Sequence, residues 1–454
     1  MSLKFVYNIA MKRNLVFLLI ILFILAAGVA AWGMAPRVER VLPTSDAEPL
    51  LGEQPLQIAF SRPMNEKSVE AHLSVQPPQT GTISWNQSHD TLTFIPHQPW
   101  PHGETLTLCL DSGAKSELGL PLLQSYTWNF KITPPVLVYL WPADGNSNLY
   151  TLNLETGESQ TLTAYPHGVL DFDVSADGLT LYYSVWHSSA ESALYALSRL
   201  TGESSLILEC VQSLCRSPKI SPAGKYLAYE WIPQVADGAP SVRVYNLQSH
   251  RSMAVGEYGH FTENPAWSST GWLAYYDHTQ QAFVFTNLAD GRTITHANET
   301  GGSGSWSPTG DAFVTTEIIY LVGDYAPRHL LKFNLAEGTE QDLTPKNYLE
   351  DANPVYSPAG DLIAFERKCL EASCWSPGRQ LWVMSSNGNR AYVLTDAPDY
   401  NHTGIVWHQD GQRLAYVRYN NAQLSEPPEI WVVNRSGSQK TRLVINGYAP
   451  RWLP

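Results

Sequence analysis

The stretch Ser305-Trp-Ser-Pro-Thr-Gly-Asp-Ala-Phe313 decides the fold, because close copies of it recur along the chain. They are Ile220-Ser-Pro-Ala-Gly-Lys-Tyr-Leu-Ala-Tyr229, Trp267-Ser-Ser-Thr-Gly-Trp-Leu-Ala-Tyr275, Tyr356-Ser-Pro-Ala-Gly-Asp-Leu-Ile-Ala-Phe365 and Trp407-His-Gln-Asp-Gly-Gln-Arg-Leu-Ala-Tyr416. Val174-Ser-Ala-Asp-Gly-Leu-Thr-Leu-Tyr-Tyr183 is a more divergent copy. Each reads as a strand end, a tight turn containing Gly, and a second, largely apolar strand. The turn glycines supply the positive φ that a tight hairpin needs.

Those glycines are Gly178, Gly224, Gly271, Gly310, Gly360 and Gly411, spaced 39 to 51 residues apart. That period is the length of one four-stranded propeller blade. Third strands follow, such as Ser241–Leu247 and Gln380–Met384, and then polar hairpins such as Ala289-Asp-Gly-Arg292 and Ala336-Glu-Gly-Thr339. Six units begin near residues 170, 216, 262, 302, 351 and 403. Val136–Leu140, Asn148–Leu154 and Gln160–Thr163 supply three further strands that lack an inner one, and Ala449–Pro454 reads as an orphan inner strand. Joining the two ends makes a seventh blade and hides open strand edges. The alternative is six blades with an irregular opening segment.

The repeat resembles that of the TolB-type propellers, a pattern also found in the propeller domains of prolyl-oligopeptidase relatives. The resemblance runs from about Pro134 to the C-terminus and implies a fold rather than an activity. In the peptidase relatives the nucleophile lies in a hydrolase domain after the propeller; this sequence ends at Pro454. It contains neither His-Glu-x-x-His nor a Gly-x-Ser-x-Gly elbow.

Residues 36–133 read as a separate unit. Leu56–Phe60, Thr91–Phe94, Thr105–Leu110 and Tyr126–Ile132 alternate as half-buried strands. Phe60-Ser-Arg-Pro-Met-Asn65 with Ser68-Val69, then Phe94-Ile-Pro96 and Pro101-His-Gly-Glu-Thr-Leu106, resembles the bacterial Ig-like domain of surface-layer and envelope proteins. That resemblance implies a spacer or adhesive module. The division expected is therefore 1–34 as cytoplasmic tip and signal-anchor, 35–133 as Ig-like sandwich and 134–454 as propeller, all-β after the first helix.

Leu15 to Met34 is a run of 20 residues without a charge, preceded by Lys4, Lys12 and Arg13. It is long enough to span a bilayer, and the basic flank predicts a cytoplasmic N-terminus with the bulk exported. An uncleaved transmembrane anchor is preferred; the alternative is a signal peptide cleaved near Val29-Ala-Ala31, with secretion. Met11 is an alternative start. The formal net charge of −13 argues against nucleic acid as partner, since phosphate binding needs clustered Lys and Arg. No cofactor or metal is expected. Asp171, Asp173 and Asp177, like Asp144, Asn146 and Asn148, read as turns rather than a calcium loop.

Cys210 and Cys215, and Cys369 and Cys374, are each five apart in predicted loops. Disulfides in an oxidising compartment are preferred over free thiols or metal ligands. Cys109 is expected to be a buried small apolar residue.

Strand order separates the propeller faces. First-to-second and third-to-fourth turns share one face and are short. The second-to-third and fourth-to-first connections share the other, and several are long: Trp231–Pro240, Lys368–Pro377 and Tyr419–Pro428. Long loops on a rigid scaffold are where binding resides. Candidate binding residues there are Trp231, Tyr258, His260, Tyr348, Glu350, Asp351, Trp375, Asp399, Tyr400 and His402. The plainer reading is that they satisfy turns and blade junctions. The function expected is non-catalytic recognition of a protein or glycan in the cell envelope. The rival is a lyase or glycosidase using Glu350, Asp351 and Asp399 at the channel mouth, and a third option is a purely structural envelope component.

Overall fold

A computed structural model describes residues 34–44, 49–101, 103–235, 238–320 and 326–454. The chain divides into two compact units, at Thr133 and Pro134. Apart from Met34, the apolar run Leu15–Met34 lies outside the described residues. Among the described residues no helix is long and apolar enough to cross a membrane.

The first unit is a sandwich. One sheet orders Val38–Leu42, Leu56–Phe60, Thr91–Pro96 and Gly81–Trp85; the other orders Leu73–Gln76, Thr105–Leu110 and Tyr126–Lys131. Alternation puts Leu56, Ile58, Phe60, Leu92, Phe94, Leu106, Leu108 and Leu110 into one core. The Met-Asn segment is a helix start: the Asn65 side chain accepts a hydrogen bond from the Ser68 amide and caps Glu66–Glu70. Cys109 is half-exposed rather than buried, with its sulfur 3.8 Å from the Thr127 hydroxyl. It occupies the face of Thr105–Leu110 opposite the buried Leu106, Leu108 and Leu110.

The described residues of the second unit form seven four-stranded antiparallel sheets. Here they are blades 1 to 7. Blade 1 joins Tyr448–Leu453, as inner strand, to Val136–Trp141, Asn148–Asn153 and Ser159–Thr161. Tyr448 faces Leu140 and Leu453 faces Val136. The inner strands of blades 2 to 7 are Val169–Val174, Ser213–Ile220, Thr262–Trp267, Ser305–Trp306, Leu349–Tyr356 and Tyr400–Trp407.

The repeat motif has a local physical reason. In its turns the Gly310 amide donates to the Ser307 carbonyl, and the Ser307 hydroxyl accepts from the Ala312 amide. Ser221 and Ser357 bond Tyr226 and Leu362 in the same way. The aromatic residue preceding the turn is a staple. The indole N–H of Trp267 donates to the Lys219 carbonyl at 2.9 Å, that of Trp306 to Ala266 at 3.0 Å, that of Trp407 to Val355 at 3.1 Å, and that of Trp452 to Val406 at 3.2 Å. Each bond ties an inner strand to the preceding blade.

The core is a cycle of inter-blade layers. Val138, Leu140 and Leu453 of blade 1 pack with Phe172, Leu181 and Tyr183 of blade 2. At the other end of the cycle, Leu137, Tyr139 and Trp452 pack with Ala415 and Ile430 of blade 7. Five further layers lie between.

Candidate functional site

The inner strands do not run straight to the long-loop face. The pairing slips in those of blades 3, 4, 6, 7 and 1, and at the slip Ser217, Asn264, Asn353, Gly404 and Ala449 each have φ between 50 and 61°. Four of the five precede a proline: Ser217-Pro218, Asn264-Pro265, Asn353-Pro354 and Ala449-Pro450. A proline cannot donate to a ladder, and a bulge re-aims the strand that carries it. Sequence reasoning missed this device, although the repeated X-Pro inside an inner strand was a readable signal.

Buried carboxylates of second strands brace these bulges. The Glu230 carboxylate accepts from the Asn264 amide of the next blade at 3.0 Å and from the Arg216 guanidinium at 2.7 Å. Glu366 accepts from the Asn353 side-chain amide at 2.7 Å, and burial raises its pKa.

The sequence-derived candidates divide into two groups. Tyr348, Glu350, Asp351, Trp375, Asp399, Tyr400 and His402 share blades 5 to 7. Their loops are bonded together: Leu370 N–H donates to the Tyr348 carbonyl, Gly378 N–H to Pro398 and Asn421 N–H to Asp399. Arg379 is the hub. Its guanidinium pairs with Glu350, its amide donates to the Asn401 side chain, and its carbonyl lies 2.8 Å from His402 Nδ1. Arg328 also approaches Glu350, at 3.5 Å. Trp231, Tyr258 and His260 lie apart from these, on blades 3 and 4.

The candidates also differ in availability. Asp351 is fully buried and bound by both Arg367 donors at 2.7 Å, and His402 is 1 % exposed. Trp231 is half-buried, with the Arg243 guanidinium 3.7 Å over its ring. Tyr400 is half-buried between Arg418, 4.2 Å over its ring, and Glu426, which its hydroxyl meets at 3.2 Å. These four hold blades and loops together. His260 lies 2.7 Å from Asp277 and 3.3 Å from Glu257; the Asp277 hydrogen bond raises its pKa. Asp399 is exposed.

Three aromatic candidates present apolar surface. Tyr258 is fully exposed, Trp375 is 57 % exposed and Tyr348 is 37 % exposed. Sequence reading missed companions on the same face: Trp141, Val211, Val235, Tyr320 and Leu424, all exposed. Val235 and Leu424 lie in long connections already assigned to that face, Val211 and Tyr320 in connections not singled out there, and Trp141 ends the strand Val136–Trp141.

The structure joins Cys210 to Cys215 and Cys369 to Cys374, with Cα atoms 6.1 and 5.7 Å apart. Cys215 lies inside the blade 3 inner strand rather than in a loop, so the first bridge ties blade 2 to blade 3. The second closes the loop leading to Trp375, whose ring has the Lys368 ammonium 5.1 Å away. No group of three or more metal-ligating side chains is found among the described residues.

Residues 33–132 match the bacterial Ig-like domain family. The chain resembles a solved prolyl endopeptidase at 14 % identity and a TM-score of 0.52, over 83 % of this chain and 51 % of that one. It also resembles TolB from Acinetobacter baumannii, at 14 % identity and a TM-score of 0.45, over 84 % and 83 % of the two chains. Oligogalacturonate lyase from Vibrio parahaemolyticus is similar at 15 % identity and a TM-score of 0.42, over 61 % and 73 %. No curated protein matches the sequence. The chain therefore carries a bacterial Ig-like domain followed by a β-propeller whose structural neighbours are TolB and other propeller proteins.

Proposed function

We propose that this is an extracytoplasmic, membrane-anchored binding protein whose propeller recognises a protein partner in the cell envelope through its long-loop face. The observation that carries this reading is the distribution of exposed apolar side chains. Tyr258, Tyr320, Tyr348, Trp375 and Leu424 stand 37 to 105 % exposed on connections of one face. Aromatic residues held this way gain nothing from the core, and contact hot spots favour them.

Export is supported by the basic residues before the apolar run and by the paired cysteines. The Ig-like module acts as the spacer in this reading. The enzymatic reading finds less support in its carboxylates, because Asp351 and Glu350 are held by arginines.

Photo-crosslinking in intact cells tests the proposal, with the crosslinker placed at Tyr258 or Trp375. A discrete adduct should form from both positions and be absent when the crosslinker sits at Asp290 or Ser436 on the short-turn face. Equal labelling from both faces, or adducts only from the Ig-like domain, would move the function elsewhere. Protease added to spheroplasts should digest the propeller; protection until lysis would reject the orientation.

A further inference from the structure

The outer wall of the propeller carries a groove where blades 5 and 6 meet. It has a volume of about 470 Å³ and is lined by Lys346, Tyr348, Arg367, Trp382, Asn389 and Arg390, among others. That volume is within the usual range for small-ligand sites, about 300–1,000 Å³.

The charged side chains lining it are all basic: Lys346, Arg367 and Arg390. Several arginines of the propeller are already paired: Arg379 binds Glu350, Arg418 binds Glu429, and Arg367, in the groove wall, is held by Asp351. Lys346 and Arg390 are both exposed, and neither forms an ion pair among the described residues. Arg390 keeps φ at 56°, a conformation that Asn or Gly adopts more easily. The Trp382 ring packs on the layer between the blades with the Arg367 guanidinium 4.9 Å from its centre, and Tyr348 is the exposed aromatic side chain of the lining.

The fold itself does not demand this lining. The equivalent cleft between blades 3 and 4, about 530 Å³, is lined by Glu257, Asp277, Thr286, Thr293 and Thr295. The charged side chains of one cleft are Glu257 and Asp277, those of the other Lys346, Arg367 and Arg390. Chemistry that differs between otherwise equivalent blades is where specificity resides in a repeat protein.

We infer that the blade 5–6 groove binds an acidic saccharide, its carboxylates on Lys346 and Arg390 and a ring face against the exposed Tyr348. An extended peptide is the poorer fit. The adjoining outer strand, Tyr392–Val393, has two residues, too short an edge for a peptide to add as a further strand.

The test is titration of the full-length protein with three probes: a glucuronate-containing hyaluronan tetrasaccharide, neutral cellotetraose and tetraglutamate. The acidic tetrasaccharide should bind at least about tenfold more tightly than either of the others, a difference of about 1.4 kcal/mol. Lys346→Gln and Arg390→Asn should each weaken it by up to about fivefold. Glu257→Gln, in the acidic cleft, should leave it unchanged. Thermal melts of the variants establish that each is folded. Equal affinity for tetraglutamate, no saturable binding, or indifference to both groove variants would overturn the assignment. The long-loop adducts at Tyr258 and Trp375 should persist in Lys346→Gln, so failure of this site and failure of the partner face are read separately.

Discussion

At the scale of single residues, several polar side chains picked out by their types serve the scaffold. His402 is buried, and that burial lowers its pKa to about 4. The unfolded chain therefore takes up this proton near the ordinary value of about 6.5, while the folded protein resists it. Between pH 6.5 and 4 the folded state loses stability on acidification, by about 3 kcal/mol from this group. His402→Gln should remove that slope: the stability difference between variant and wild type, measured by denaturant unfolding at pH 7 and pH 4.5, should shift toward the variant in acid. A constant difference would exclude the assignment. Asp351→Asn leaves Arg367 buried beside a neutral partner and should cost about 3–5 kcal/mol. Tyr356 gives the opposite expectation. Its hydroxyl is buried without a hydrogen-bond partner among the described residues, so Tyr356→Phe should leave the melting temperature unchanged or raise it.

The element that explains the repeat is the inner strand with its turn and staple. Blades 1, 4, 5 and 7 each use an indole N–H to reach the preceding blade. Trp452→Phe keeps an aromatic ring while removing that bond, and should lower stability by about 0.5–1.5 kcal/mol. The bridge between Cys210 and Cys215 acts on the same scale, joining the last strand of one blade to the first of the next. A loop this short contributes only about 2 kcal/mol in the chain-entropy model. Its main effect is to hold the blade 2–3 connection in place. Mass spectrometry of alkylated, unreduced protein should recover both bridges, Cys210–Cys215 and Cys369–Cys374; alkylation of all four thiols would exclude them.

For the whole molecule, closure is the decisive feature. The C-terminal strand Tyr448–Leu453 completes blade 1, and Trp452 and Leu453 enter the packing layers on its two sides. Removing residues 448–454 should expose an edge of Val136–Trp141 and empty part of two layers at once. The truncated propeller should melt far below the full chain and aggregate; an unchanged melting temperature would show that the ring holds without its last strand.

What the sequence by itself determined was whatever repeats locally. Glycine at the turn, serine before it, an aromatic residue at the strand end and the alternating Ig-like strands depend on neighbours a few residues away, so their pattern survives in one dimension. The pairing of Ala449–Pro454 with Val136–Leu140 was legible for the same reason, because a missing inner strand and an orphan one were both visible. Only the tertiary structure decided which face residues are free. Residue type alone did not show that Asp351 is buried and Trp231 half-buried, because exposure depends on partners that the linear pattern does not reveal. Arg367 stands opposite Asp351, Arg379 joins Glu350 to His402, and Arg243 covers Trp231. The blade 5–6 groove is likewise invisible in the sequence. Lys346 and Arg390 are separated by a whole blade of chain, and only the packing of one blade against the next sets them in the same wall.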